Sequence, residues 1–215
     1  ENKLEKKGER IFLSTENSKK VEFLLAVAAD KDIPGLKIPG GHNRKNAAMV
    51  MAVANELKVP QKKVIQVLKK FSGLTHRLQL IKTIKGIKFY NDSASTNPET
   101  TAAAIHSFPD QPKILIMGGK DKNLDYKPVA EAAYSEDVKL VVLFGENKKK
   151  IHLALDKVTK TKTIKDLKSA IKTAREAAKS GDVVIFSPGA ASFDMFENYK
   201  ARGKEFERIV KKLKP

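Results

Sequence analysis

Three short groups of polar and charged residues in this chain follow apolar runs, and each has a composition suited to binding an anion. The groups are residues 91–93 (Asn-Asp-Ser), 118–122 (Gly-Gly-Lys-Asp-Lys) and 187–189 (Ser-Pro-Gly). Two lysines after paired glycines can form a carboxylate or phosphate site. A Ser-Pro-Gly turn that opens a helix would leave backbone N–H groups that, with the hydroxyl of Ser192, could bind another anion.

Strands and helices that alternate along the second part of the chain are expected to position these loops. The predicted strands are 78–83, 87–91, 113–117, 140–144, 160–163 and 183–186, and the predicted helices are 98–107, 126–134, 147–155, 164–180 and 194–213. The first two strands join at Lys85 and Gly86, which favours a hairpin. The pattern predicts an α/β fold with a Rossmann-like, mainly parallel sheet and helices on both faces. Because ligands bind at the carboxyl ends of parallel strands, all three loops should open at one edge.

The first part of the chain is organised differently. Its expected elements are short strands, or a strand and a helix, at 10–14 and 22–28, an extended segment at 33–39, and helices at 43–57 and 64–71. Pro60 should separate the two helices, of which the first is rich in alanine. Residues 72–75 have the composition of a hinge. We therefore predict two domains, 1–72 and 73–215.

Composition limits the possible functions. The chain has 215 residues, 41% of them hydrophobic, no cysteine and a formal net charge of +17. The lack of cysteine excludes disulfides, thiolate metal sites and cysteine nucleophiles. No apolar run approaches the roughly 20 residues that cross a bilayer, and no signal peptide opens the chain, so a cytoplasmic protein without a membrane partner is expected. The charge suits a nucleic-acid or anionic-ligand surface, or a lysine-rich soluble surface; the even spread of lysines favours the latter.

Residues 192–206 carry the most specific pattern, Ser-Phe-Asp-x-Phe-x-Asn-Tyr-x-x-Arg-Gly-x-x-Phe. This run resembles the C-terminal signature of the Mur ligases, in the form found in the branch that adds D-glutamate to UDP-N-acetylmuramoyl-L-alanine. The resemblance implies that Ser192, Phe193 and Tyr199 hold D-glutamate. It extends from about Leu36 to the end of the chain through further motifs in the family's order.

The second motif lies at residues 41–46, Gly-His-Asn-Arg-Lys-Asn, before the alanine-rich helix. Asn43 could simply cap that helix. Two asparagines three positions apart could also read the edge of a purine, because each amide offers both a donor and an acceptor. The motif is similar to the Mur ligase pattern Gly-x-His-Asn-x-x-Asn, which implies that Asn43 and Asn46 lie against the adenine of ATP.

His76 and Arg77 follow the hinge, and by themselves would indicate only a surface pair. An arginine fork can, however, clamp a triphosphate oxygen. The family has a His-Arg pair at the start of its C-terminal domain, so the resemblance implies that both residues bind the nucleotide. It also implies a catalytic role for Arg77, which would reach the γ-phosphate only after domain closure.

Residues 91–97, Asn-Asp-Ser-Ala-Ser-Thr-Asn, look like the family's Asn-Asp-Ser-Lys-Ala-Thr-Asn. The resemblance implies that Asp92 contacts the nucleotide ribose and that Thr96 contacts the incoming amino acid. Thr96 or Asn97 also suits the N-cap of the following helix. Ala94 stands where the family has lysine, so a cationic contact to the substrate carboxylate is missing or is supplied from elsewhere.

The lysines of the second loop complete the predicted acceptor site. The family places a lysine there against the side-chain carboxylate of D-glutamate, which implies a binding and catalytic role for Lys122. Lys120 is a candidate to replace the cation lost at Ala94. His106 and His152 have no partners at metal-ligand spacing and are interpreted as structural. No metal site is predicted within this chain.

For a whole enzyme, the resemblance implies an ATP-dependent carboxylate–amine ligase. ATP would phosphorylate the L-alanyl carboxylate, and the amine of D-glutamate would attack the acyl phosphate. Mg²⁺ and Arg77 would offset the phosphoryl charge. The sequence has no Gly-x-x-x-x-Gly-Lys-Ser/Thr motif, and the Mg²⁺ ligands and the UDP-recognising region of the family are also missing.

The chain is therefore expected to be a monomeric fragment that is inactive alone and has no nucleic-acid partner. Residues 1–72 would be the C-terminal portion of the central ATP-binding domain, and residues 73–215 the amino-acid-binding domain. Two alternatives stay open. A ligase similar to folylpolyglutamate synthetase would take L-glutamate, which the run at 192–198 disfavours. A basic, non-enzymatic domain would bind generic DNA with an affinity that falls steeply with salt.

Overall fold

The computed structural model of the chain describes residues 5–7, 10–12 and 35–214. The chain divides into two compact units, one within residues 1–37 and 41–71 and the other within 38–40 and 72–215. The predicted element at 22–28 lies outside the described residues, as do parts of those at 10–14 and 33–39. The assignment of 1–72 and 73–215 to two family domains stays a prediction.

The first unit contains a short antiparallel strand pair and two helices. Its elements are β1 (Glu5–Lys7), β2 (Arg10–Phe12), α1 (Gly41–Glu56) and α2 (Gln61–Lys70). Both predicted helices are present, and Pro60 stands at the N-cap of α2, where the missing N–H of proline costs nothing. Ala47, Val64 and Leu68 form the buried contact of the two helices. Because α1 begins at Gly41, Asn43 lies in its first turn and is not its cap.

The second unit is built on one six-stranded sheet. Its strands are β3 (Gln79–Ile84), β4 (Ile87–Asn91), β5 (Lys113–Met117), β6 (Val138–Leu143), β7 (Thr161–Thr163) and β8 (Val183–Phe186). The order across the sheet is β3-β4-β8-β5-β6-β7. Only β3 and β4 pair antiparallel, and the other neighbours are parallel. The predicted α/β class with a mainly parallel sheet is confirmed.

Helices cover both faces of this sheet. They are α3 (Pro98–Ile105), α4 (Lys127–Ser135), α5 (Lys148–Leu155), α6 (Leu167–Ala177) and α7 (Tyr199–Lys212). Successive side chains of a strand point to opposite faces, so Leu115 and Met117 of β5 pack with α3, α4 and α5. Ile114 and Ile116 pack on the other face with α6 and α7. Every residue of β5 and β8 is buried, as expected for central parallel strands.

The hairpin between β3 and β4 has the predicted turn. Lys85 and Gly86 both have positive φ, at 49° and 78°. Positive φ at both central residues is the geometry that matches the twist of a two-residue hairpin. Ile84 and Ile87 pair across this turn.

The last helix begins later than predicted. It starts at Tyr199 rather than Asp194, because Asn198 is in an extended conformation and its side chain accepts a hydrogen bond from the Ala201 N–H at 2.9 Å. Phe193 and Phe196, predicted on this helix, lie in the preceding turn. The prediction of an anion site at a helix that opens directly from Ser-Pro-Gly was therefore wrong in its geometry, because a long loop separates β8 from α7.

Candidate functional site

The loops that follow β4, β5, β6 and β8 meet at the carboxyl edge of the sheet, as the sequence predicted for three of them. Backbone hydrogen bonds hold them together. These run from Gly118 N to Pro188 O (3.0 Å), from Lys120 N to Ala191 O (2.9 Å), from Gly189 N to Ser95 O (3.1 Å) and from Asn147 N to Gly119 O (3.1 Å). Rigid loops at this edge are where open α/β sheets bind ligands.

Asp92, the predicted ribose contact, is almost completely buried at the end of β4. Its Oδ2 accepts a hydrogen bond from Ser187 Oγ at 2.8 Å, and its Oδ1 accepts one from Leu78 N at 3.1 Å. Burial raises the pKa of Asp92 from 3.8 to about 7, against the opposing effects of these hydrogen bonds and of Arg77. Asp92 can therefore change charge near neutral pH, and each carboxyl oxygen retains a lone pair for a ligand hydroxyl.

His76 is buried beside β4 and α7. Its Nδ1 accepts a hydrogen bond from Asn91 Nδ2 at 3.0 Å, which places the proton of the neutral ring on Nε2. Burial, the largest cause, lowers the pKa of His76, so the ring is neutral at physiological pH. A Cβ on Gly203 would overlap the imidazole, and Tyr199 packs edge-on to it at 6.5 Å between ring centroids. The structure thus fixes His76 against residues of the C-terminal signature.

Arg77 is exposed, in contrast to its neighbour. Its charge acts on Asp92, since it is one of the groups that lower the pKa of that carboxyl. An exposed guanidinium next to a buried carboxyl can turn toward a phosphate without breaking the fold.

The predicted D-glutamate residues come from three of the converging loops. Lys122 follows β5, and its Nζ lies 5.9 Å from the centroid of the Phe193 ring, which follows β8. Both side chains are exposed, whereas Ser192 is buried. Thr96, half-buried, lies in the loop after β4. The structure thus brings Lys122 and Phe193, from separate loops, within cation–π distance of each other.

Tyr199 is the first residue of α7 and is partly exposed. Its carbonyl oxygen accepts a hydrogen bond from Ser93 Oγ at 2.8 Å, which ties the start of the helix to the loop after β4. Its ring can therefore face a ligand while its backbone is held in place.

Lys120 is committed to a different contact from the one suggested for it. Its Nζ lies 2.7 Å from Glu146 Oε2, and this pair raises the pKa of Lys120. Asp194 and Asp121 add to the negative surroundings of the ammonium. A lysine held by a carboxylate is a poor replacement for the lysine absent at Ala94.

Asn43 and Asn46 belong to the first unit. They are three positions apart in α1 and so share one face of the helix, with Asn43 half-buried and Asn46 exposed. Their predicted contact with adenine stays a prediction.

Arg202 holds the site's loops together, a role that the sequence did not predict. Its side chain is fully buried, and it donates to Ser93 Oγ (3.1 Å), Ser93 O (2.9 Å) and Ala190 O (2.9 Å). It therefore clamps the loop after β4 to the loop after β8. Arg202 lies four positions before Phe206 and eight before Val210, so all three share the buried face of α7. This spacing was the sequence signal that could have predicted the burial of Arg202.

Tyr126 and Asn147 form a second buried clamp at the same edge. Asn147 Nδ2 donates to Tyr126 Oη at 2.6 Å, and Tyr126 Oη donates to Gly189 O at 3.2 Å. Asn147 Oδ1 accepts from Gly119 N at 2.9 Å. Burial raises the pKa of Tyr126 to about 12, so its hydroxyl keeps the proton it donates.

The histidines outside the site have local partners. His106 Nδ1 lies 3.2 Å from Glu136 Oε1, and His152 Nδ1 lies 2.6 Å from Thr161 Oγ1. Among the residues that the structure describes, no three His, Asp or Glu side chains come together as a metal site. Within that part there is also no helix long and apolar enough to cross a membrane.

Comparison with known proteins places the chain in a family. The family described as "Mur ligase, glutamate ligase domain" matches residues 76–189. The UDP-N-acetylmuramoylalanine–D-glutamate ligase of Aquifex aeolicus is 41% identical over 175 residues, which are 81% of this chain and 42% of that protein. The ligase of the same name from Natranaerobius thermophilus is 42% identical over 178 residues, 82% of this chain and 38% of that protein. The chain belongs to the Mur ligase family, and it spans about two fifths of the length of these relatives.

Solved structures share the fold at low sequence identity. The UDP-N-acetylmuramate–alanine ligase of Thermotoga maritima has a TM-score of 0.62 and 19% identity, and the match covers 82% of this chain and 39% of that one. The folylpolyglutamate synthase of Mycobacterium tuberculosis has a TM-score of 0.60 and 15% identity, over 80% of this chain and 41% of that one. The fold is thus shared by ligases that differ in their acceptor amino acids.

Proposed function

We propose that this chain forms the amino-acid-binding part of an ATP-dependent ligase that joins D-glutamate to UDP-N-acetylmuramoyl-L-alanine, the reaction of MurD. The contact between Lys122 and Phe193 carries the proposal, because it brings two predicted D-glutamate residues from separate loops together. The relatives at 41% and 42% identity are UDP-N-acetylmuramoylalanine–D-glutamate ligases, which supports this choice of acceptor and of UDP-linked substrate.

The residues of the edge suit the proposed chemistry. After ATP has phosphorylated the L-alanyl carboxylate, the amine of D-glutamate attacks the acyl carbon and orthophosphate leaves as the amide forms. Lys122 would hold the side-chain carboxylate of D-glutamate, and Ser192, Phe193, Tyr199 and Thr96 would orient its amine. The positive charge of Lys122 suits a carboxylate, because charge-assisted hydrogen bonds are the strong ones.

The nucleotide would contact residues near the end of β4. Asp92 would accept from a ribose hydroxyl, His76 would donate from Nε2, and Arg77 would reach the γ-phosphate. Asn43 and Asn46 would contact adenine. The cytoplasm, where ATP and the UDP-linked precursor are found, is the location that follows from this proposal, and a role in peptidoglycan and cell-wall synthesis follows with it.

The acceptor can be tested directly with the isotope-labelled chain. We expect saturable backbone amide shifts at Thr96, Lys122 and Ser192 with D-glutamate and none with L-glutamate. Lys122→Gln should weaken D-glutamate binding about 10- to 100-fold, because a hydrogen bond to a charged group contributes roughly 1.5–3 kcal/mol. Lys172→Gln, at an exposed lysine of α6, is the matched control and should leave the affinity unchanged.

A preference for L-glutamate would instead support the folylpolyglutamate synthetase-like alternative. The variant Ala94→Lys restores the lysine of the family motif and should tighten D-glutamate binding. If neither the chain nor this variant responds to D-glutamate, the proposed acceptor site is rejected.

We expect the 215-residue chain not to turn over ATP by itself. Its sequence has no P-loop motif, so it lacks the backbone groups that would cradle the triphosphate. Release of phosphate from Mg-ATP should stay at background, with the full-length Aquifex aeolicus relative as the positive control. Sustained phosphate release by the purified chain would refute this expectation.

A further inference from the structure

A continuous chain of hydroxyl groups runs from Asp92 to the carbonyl of Asn97, next to Thr96. The successive distances are 2.8 Å from Asp92 Oδ2 to Ser187 Oγ, 3.1 Å to Thr101 Oγ1, 3.0 Å to Ser95 Oγ, 2.6 Å to Thr100 Oγ1 and 2.9 Å to Asn97 O. It starts at the predicted ribose contact and ends beside the predicted amino-acid contact. The motifs of the sequence assign no role to these hydroxyls.

Burial protects the inner links of this chain of hydrogen bonds, whereas Thr100, at its outer end, is exposed. Ser187 and Thr101 are fully buried and Ser95 is 2% exposed, so water does not compete for the inner links. Each hydroxyl has one proton, and the direction of each bond therefore constrains the next. Ser187 Oγ is the branch point, because both Asp92 Oδ2 and Thr101 Oγ1 lie within reach of its single proton.

The charge of Asp92 selects between two arrangements of these protons. When the carboxylate is ionised, Ser187 donates to it, and Thr101 can donate back to Ser187, to its Oγ or to its carbonyl oxygen at 3.3 Å. Ser95 can then donate to Thr101, and Thr100 to Ser95. When the carboxyl is protonated, it donates to Ser187 Oγ, and Ser187 turns its own proton to Thr101. Thr101 then donates to Ser95, Ser95 to Thr100, and Thr100 to the Asn97 carbonyl. Between the two arrangements the carboxyl takes up one proton from solvent and the hydroxyl bonds change direction. The Asn97 carbonyl can only accept, so the bond from Thr100 is made when Asp92 is protonated and is given up when Thr100 turns to Ser95.

We propose that Ser187, Thr101, Ser95 and Thr100 are positioning residues that couple the state of Asp92 to the segment of Thr96 and Asn97. This coupling rests on the proposed function, because it connects the proposed ribose contact, Asp92, with the proposed D-glutamate contact, Thr96. A ribose hydroxyl that donates to Asp92 would hold the carboxylate in its ionised form and set the bond direction at the acceptor loop.

The titration of Asp92 can be distinguished from the effects of the other charged and titratable groups near it. Arg77 is a charged group that acts on the carboxyl, since it lowers the pKa of Asp92. His76 contacts Asn91, the neighbour of Asp92, and burial lowers the pKa of His76 whereas burial raises that of Asp92. Arg202 bonds to Ser93 and stays charged near neutral pH. The carboxyl carbon of Asp92 reports its own titration directly.

The test is a pH titration of the ¹³C,¹⁵N-labelled chain without ligand. We expect the carbonyl carbon of Asn97 to titrate with the same midpoint as the carboxyl carbon of Asp92. Thr101→Val removes the central hydroxyl and keeps the shape, so Asp92 should still titrate while the response at Asn97 is lost. Thr101→Ser keeps the hydroxyl and should restore that response. Ser107→Ala removes a hydroxyl that donates to Ala103 O, outside this chain of hydroxyls, and is the control. It should change neither the titration of Asp92 nor the response of the Asn97 carbonyl carbon.

Asp92→Asn provides a second measurement that does not depend on the pKa. Its amide donates to Ser187 at every pH and imposes the protonated pattern, so it should shift the Asn97 carbonyl in the wild-type background but not with Thr101→Val. A response at Asn97 that survives Thr101→Val, or its absence in the wild type when Asp92 changes state, would overturn the relay. Because no substrate is added, failure to bind D-glutamate would count against the proposed function and not against this result.

Discussion

Gly118→Ala is expected to destabilise the protein by about 3 kcal/mol or more. Gly118 has a φ of 124°, which residues with a side chain rarely adopt, and a Cβ built there would overlap the backbone carbonyl of Phe144. That carbonyl cannot move away easily, because Phe144 N donates to Met117 O at 3.0 Å between two buried strands. The loss should appear as a lower urea midpoint at an unchanged slope.

Gly181→Ala is the matched control for this substitution. Gly181 also has a positive φ, 94°, but a Cβ there would meet open space. Its replacement should cost only about 1–2 kcal/mol, the backbone strain alone. Equal losses for the two variants would mean that the close approach of the loops after β5 and β6 does not matter. Since Gly118 precedes the lysine loop, any folded Gly118→Ala protein should also bind D-glutamate more weakly.

Asp92→Asn is expected to stabilise the protein in a pH-dependent way. The folded state raises the pKa of Asp92 from 3.8 to about 7, so the protonated form favours folding and the ionised form opposes it. The stabilising effect of protonation is complete below about pH 4 and is lost as the pH rises through about 7. The side chain at position 92 of the variant is uncharged at every pH. The free energy of unfolding of the variant should therefore exceed that of the wild type by an amount that grows over this pH range and then stays constant, on the order of 4 kcal/mol.

Urea unfolding at several pH values between 5 and 8 measures this advantage. Asp110→Asn, at an exposed carboxyl, is the control and should not change the pH dependence of stability. A gap between wild type and Asp92→Asn that shrinks as the pH rises would contradict the predicted direction. A buried carboxyl that weakens the fold near neutral pH is consistent with a residue retained for binding.

Much of the second unit could be predicted from the sequence because its strands are short apolar runs between clear breaks. The bounds of the strands at 87–91, 113–117 and 183–186 agree with the structure residue for residue. Their carboxyl ends had to share one edge, since parallel strands joined through helices run the same way. The meeting of the loops with Lys122 and Asp92 follows from that rule.

The start of the last helix could not be read in the same way. The apolar residues Phe193 and Phe196 continue the helical spacing backwards from Tyr199, which suggested an earlier start. Tertiary contacts decided otherwise: Asp194 Oδ2 accepts from Glu146 N at 3.0 Å, and Asn198 caps the helix. A cap and a loop contact outweigh periodicity because unpaired backbone groups are costly.

The sequence by itself determined the α/β class, the order of the elements and the identity of the loops that carry polar residues, because hydrophobic periodicity and breaks are local properties of the chain. Only the tertiary structure decided which polar side chains are buried away from solvent. Asp92 and Ser187 are 95 positions apart, and Arg202 and Ser93 are 109 apart, yet both pairs are buried and hydrogen-bonded. Burial of this kind sets the pKa of Asp92 and the clamp of Arg202, since desolvation depends on neighbours that the fold brings from distant parts of the chain.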